Sequence, residues 1–125
     1  MATSEIEEFA RILIEKVRDA AIQSCDRRLQ PNAGGPIAKR WREAMSLGGS
    51  EALAKTLIPD VVDDAMFRLL QSIDQGLLKT LFSASDGRIV DLSTEGLGEL
   101  SGWYMGRGWR DVYSKERFFD VLADS

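Results

Sequence analysis

The chain has 125 residues, 44% hydrophobic and 29% charged, with 16 basic against 20 acidic side chains, and so reads as one globular domain over 1–125 carrying −4. It holds no histidine and one cysteine, Cys25, which excludes Ser-His-Asp and Cys-His catalysis, the commonest zinc ligand and any internal disulfide. The acidic N-terminus, with no aliphatic run there longer than Ile12-Leu13-Ile14, predicts a cytoplasmic protein without a membrane partner.

Ser4 with Glu7 three residues on is a capping box, and a helical pattern continues to about Leu29. At about 100° per residue Ile6, Phe9, Ala10, Leu13, Ile14, Val17, Ala20, Ala21 and Cys25 share one arc, so this helix is expected to be buried along much of its length. Cys25 then reads as a small core residue and not as a nucleophile. Ile12 falls on the charged side, where a third element is expected to cover it.

Gln30 to Gly35 reads as a loop, and Pro36 opens a helix with Ile37, Trp41, Ala44 and Met45 at helical spacing. Trp41 belongs to that apolar stripe. Lys39, Arg40 and Arg42 are left on its flank to pair with acidic groups, this protein's own included. Gly48-Gly49 ends the helix, Ser50 caps a short one to about Leu57, and Pro59 breaks the chain again. A fourth helix runs from about Asp60 to Gln75, with Gly76 as its C-terminal cap.

The period then falls to two. Strands near 78–83 and 88–92 are predicted to flank a tight Asp86-Gly87 turn, with helices covering at least one face of the hairpin. Ser93 or Thr94 caps a further helix to about Met105, and Ser114 starts a last one with Phe118, Val121 and Leu122 on its apolar side. Gly96, Gly98 and Gly102 imitate a dinucleotide fingerprint, but no second parallel strand follows within the remaining residues. Gly98, Gly102 and Gly106 instead stand four apart on one helical face, where a backbone can come close.

The predicted fold is therefore α+β, a predominantly helical domain of about five or six helices with one antiparallel hairpin packed on them. Two places invite a function. Asp60, Asp63 and Asp64 open the fourth helix, where its dipole favours carboxylates. Phe67 projects among Asp60, Asp63, Asp74 and Gln71, away from the apolar arc. This group reads as an acidic helical face, anchored by Phe67 and presented to a basic partner protein. The second place is 102–110, which reads first as a tight turn between two helices with Trp103 and Trp109 in the core, and otherwise as a lip where Trp103, Tyr104, Arg107, Trp109 and Arg110 can stack a planar group and hold an anion. With no catalytic constellation visible, the leading expectation is a non-enzymatic binding module of inhibitor or adaptor type. It would need no cofactor or metal and, being acidic, would bind no nucleic acid; a homo-oligomer is compatible with it. The alternative is a small-ligand protein or enzyme using 102–110 with carboxylates as acid or base. A pocket lined by Trp103, Trp109 and Arg107, with a carboxylate facing it, would favour that alternative.

Overall fold

The computed structural model describes residues 4–106 and 108–119. Most of them are helical, and one antiparallel two-stranded sheet joins the helices, as the changes of period in the sequence imply. The first helix is continuous but not uniform: α1 (Ser4–Ile12) passes into a π-helical stretch (Leu13–Arg18) and then α2 (Asp19–Arg28). In the π stretch the Asp19 N–H reaches back five residues to the Ile14 carbonyl. Each such turn takes up an extra residue and resets which face points inward. The expected long buried arc is therefore cut in two. Val17 is buried within the π stretch and Ala21 and Ser24 beyond it, whereas none of the α1 residues is fully buried. Ile12 turns inward instead, against the core of Leu70, Ile73, Leu78 and Leu100.

Pro36 occupies the first turn of α3 (Pro36–Asp74), where its missing N–H costs nothing. A straight helix would hold Arg40 and Asp60 about 30 Å apart, yet their side chains meet at 3.0 Å. The reversal lies at Gly49, whose φ of 75° and ψ of −161° are open in practice to glycine alone. Two arms, 36–48 and 50–74, thus run side by side, and Trp41 and Ala38 are buried between them and their neighbours.

Pro59 does not break the second arm, contrary to expectation, and the third and fourth predicted helices are one. Proline removes the N–H that would bond the carbonyl four residues back, here that of Lys55. Arg117 replaces it, donating from Nε at 3.2 Å and Nη2 at 3.1 Å to the Lys55 carbonyl. The arm ends as predicted at Gly76, with φ 75°. Gly76 N–H bonds the Ile73 carbonyl and Leu77 N–H that of Ser72, a Schellman arrangement.

The hairpin is shorter and more open than its pattern suggests: β1 (Leu81–Ser83) pairs with β2 (Ile89–Asp91) in the register Phe82↔Val90. Gly87 has the expected positive φ, 90°, but Asp86 does not, so the turn is not a two-residue Asp-Gly loop. Ala84 closes the loop through Arg88, and Asp86 Oδ1 accepts from the Arg88 N–H. Among the described residues no helix covers β1, all of whose residues are exposed.

Beyond it, α4 (Leu92–Glu95) is capped by Asp91 and not by Ser93 or Thr94, since Asp91 Oδ1 accepts from the Ser93 N–H. Leu97 and Gly98, both at positive φ, separate α4 from α5 (Leu100–Met105). Gly98 therefore lies outside the helical face predicted to hold it with Gly102 and Gly106. The short α6 (Trp109–Tyr113) follows. Residues 114–119 are not helical, correcting the expectation of a last helix; Val121 and Leu122 lie outside the described residues. Among the described residues no helix is long and apolar enough to cross a membrane.

Candidate ligand-binding site

Asp60, Asp63 and Asp64 stand at i, i+3 and i+4, so one face of α3 carries all three carboxylates. That face is turned inward, and the three side chains are buried. The acidic surface expected of them is absent because each has its own cation. Asp60 accepts from Arg40 Nη2 at 3.0 and 3.1 Å and from the Trp41 indole at 2.8 Å. Asp64 accepts from Arg68 at 3.2 Å and has Arg28 at 3.4 Å. Asp63 takes the Tyr104 hydroxyl on Oδ1 at 2.6 Å and Arg110 Nη1 on Oδ2 at 2.7 Å. Four guanidinium groups thus neutralise three carboxylates inside a small domain. Losing one partner of such a buried pair costs about 3–5 kcal/mol.

Arg110 is the pivot. It is itself 95% buried, sends Nη2 to the Met105 carbonyl at 2.7 Å, and lies between two rings, Phe118 at 4.6 Å and Tyr104 at 5.6 Å. Arg40 similarly lies 4.3 Å from the ring of Phe119. Three consecutive residues, Arg117, Phe118 and Phe119, therefore fasten the end of the described chain across the two arms of α3.

Two cavities flank this network and share Asp63 and Arg110. The larger, about 670 Å³, is walled by Ile58, Val62, Met66 and Leu70 of α3 and by the rings of Tyr104, Trp109, Tyr113 and Phe118. Ser114, Glu116 and Arg117 complete its lining. The smaller, about 390 Å³, has Phe67 on its wall with Ile37 and Phe119, and the glycines 102 and 106 of the α5 region beside them.

The two groups of residues singled out in the sequence are thus largely one constellation. Asp60, Asp63, Asp64 and Phe67 come from one, and Tyr104, Trp109 and Arg110 from the other. Phe67 is half-buried on a cavity wall and not ringed by solvated carboxylates. Asp74 stands apart, accepting from the Leu100 and Ser101 N–H groups and the Ser101 hydroxyl, and so caps α5. Trp103 is partly exposed with its ring 6.2 Å from that of Trp109. Arg107 lies outside the described residues. Cys25 is half-buried, and burial, with Asp64 nearby, raises its thiol pKa above the usual range.

Sequence reasoning missed Arg28, Arg117, Phe118 and Phe119, whose partners are far along the chain. The pairing expected of the basic flank of Trp41 with this protein's own acidic groups is present in Arg40 and Asp60, and a further signal lay in Asp64 and Arg68, which have the i, i+4 spacing of a helical ion pair.

The chemistry open to the site follows from its donors and acceptors. Both oxygens of Asp63 already accept from protein groups. Burial, and then its bond to Asp63, push the Tyr104 hydroxyl far above the ordinary phenol range, so it stays protonated. At the floor shared by the two cavities the Asp63 and Arg110 charges cancel, and the excess guanidinium of the network lies at Asp64, which faces both Arg28 and Arg68. What remains accessible is aromatic and aliphatic surface over a neutral, hydrogen-bonded floor. No known protein family, curated protein or solved structure matches this chain.

Proposed function

We propose that this protein binds a small, flat, largely uncharged ligand in the larger cavity, with Trp109 and Tyr113 against its ring and Asp63, Tyr104 and Arg110 as a rigid floor. The observation that carries this reading is the cavity itself: its volume lies in the range of small-molecule sites, its walls are mainly apolar and aromatic, and few polar groups converge on it. The engagement of Asp63 and the raised pKa of Tyr104 favour binding over acid–base turnover. An acidic docking face finds no such support, because its carboxylates are already paired and buried.

Titration with naphthalene and indole derivatives bearing neutral, anionic or cationic substituents, followed by tryptophan emission, tests the proposal. The neutral compounds should perturb the emission, and the response should disappear in Trp109→Phe. Val62→Phe, at an exposed wall position, should abolish binding while leaving the melting temperature within about 2 °C. A panel without effect, or a response unchanged in Val62→Phe, overturns the reading.

A further inference from the structure

α1 is an amphipathic helix whose apolar stripe is largely exposed. Among the described residues Ile12 is its member packed against the core, and none of its nine residues is fully buried. Ile6, Phe9 and Ala10, continued by Leu13, fall within about 100° of one another, and Ile6 and Phe9 are at least half exposed. Ile12 shows which side of this helix meets the body, and the apolar stripe faces elsewhere.

The charges beside the stripe indicate what covers it. Along the edge away from Ile12 stand Glu7 and then Arg11, both exposed. More broadly the acidic residues Glu5, Glu7 and Glu8 come first and Arg11, Lys16 and Arg18 later, with Glu15 among them. A second copy laid antiparallel across a two-fold axis near Phe9 sets Glu7 opposite the partner's Arg11, and that copy's Glu7 opposite Arg11. A parallel copy sets like against like. In an antiparallel helix pair, residues on one edge face the same edge of the other helix, so this edge is complementary to itself.

We infer that two copies of this chain pair through α1, antiparallel, with the Ile6–Phe9–Leu13 stripe as the seam and Glu7–Arg11 pairs along its edge. So short a seam makes a weak dimer, formed at high protein concentration and disfavoured by salt.

Sedimentation equilibrium on the full chain at low ionic strength tests this. The wild type should be dimeric at about 0.5 mM and dissociate on dilution. Phe9→Ser, at a half-exposed position, should be monomeric with a melting temperature within about 2 °C of the wild type's at a concentration where both are monomers. Glu7→Lys and Arg11→Glu should each weaken association by about tenfold or more. An equimolar mixture of these two variants should form a heterodimer, because every edge pair is again opposite in sign. A wild type that is monomeric at about 0.5 mM, a dimer that survives Phe9→Ser, or variants that do not pair on mixing each overturn the inference.

Discussion

Pro59 and Arg117 are 58 positions apart, yet each explains the other. The proline withdraws a donor from the Lys55 carbonyl and the arginine supplies two. Arg117→Ala should therefore lower stability to urea by about 1 kcal/mol. In a Pro59→Ala background the helix regains its own N–H for that carbonyl, so the same change should cost markedly less. Equal losses in the two backgrounds would show that Arg117 acts elsewhere. Side-chain roles of this kind were the least legible part of the sequence. Helical periodicity groups Asp60, Asp63, Asp64 and Phe67 correctly, but it does not reveal whether their face meets water or protein. That depends on Arg40 and Arg110, 20 and 47 residues away from their carboxylates, and no local pattern announces them. The Arg-aromatic segment was legible as a place of interest because aromatic and arginine side chains crowd 102–110, and two of its members, Tyr104 and Arg110, satisfy Asp63.

Among the elements, legibility followed how locally each signal acts. The Gly48-Gly49 break, the loop before Pro36 and the cap at Gly76 rest on backbone geometry within a few residues, and all three stand in the structure. Pro59 was misread because the usual rule assumes that the freed carbonyl has no other donor. The burial of α1 was misread because a uniform 100° step runs through the π stretch as though it were α-helix. Gly49 is the element-scale feature most open to test. Any side chain there is strained at its φ and ψ, so Gly49→Ala should cost about 1–3 kcal/mol. Gly34→Ala, in open space and without a positive φ, should change stability by no more than about 0.5 kcal/mol. Comparable losses from the two substitutions would mean that the reversal between the arms tolerates another conformation.

For the molecule as a whole, a polar network occupies the place where a larger apolar core would sit, and the hydrophobic surface left over is distributed between the cavities, α1 and the hairpin. Its stability should accordingly respond to alkali through Tyr104. The phenol's pKa is raised on folding, so its stabilising contribution is complete below the ordinary value of about 10 and is lost as pH climbs above it. In Tyr113→Phe, which leaves Tyr104 as the lone tyrosine, tyrosinate absorbance should appear only together with the loss of helical circular dichroism. Ionisation near pH 10 in a still-folded chain would contradict the burial of that hydroxyl. The clasp made by Arg117, Phe118 and Phe119 has a further consequence. The exposed Lys115 stands just before these residues, so a single tryptic cut after it would sever the covalent link without removing any of their contacts. A nicked protein that keeps its cleaved peptide through gel filtration would hold it, among the described residues, by the Arg117 bonds to the Lys55 carbonyl, two cation–ring contacts and the hydrogen bonds between Ser114 and Glu116. The same peptide, made synthetically and bearing a fluorophore, would then be a competitor for its own site and a direct reporter of how firmly the two arms are held together.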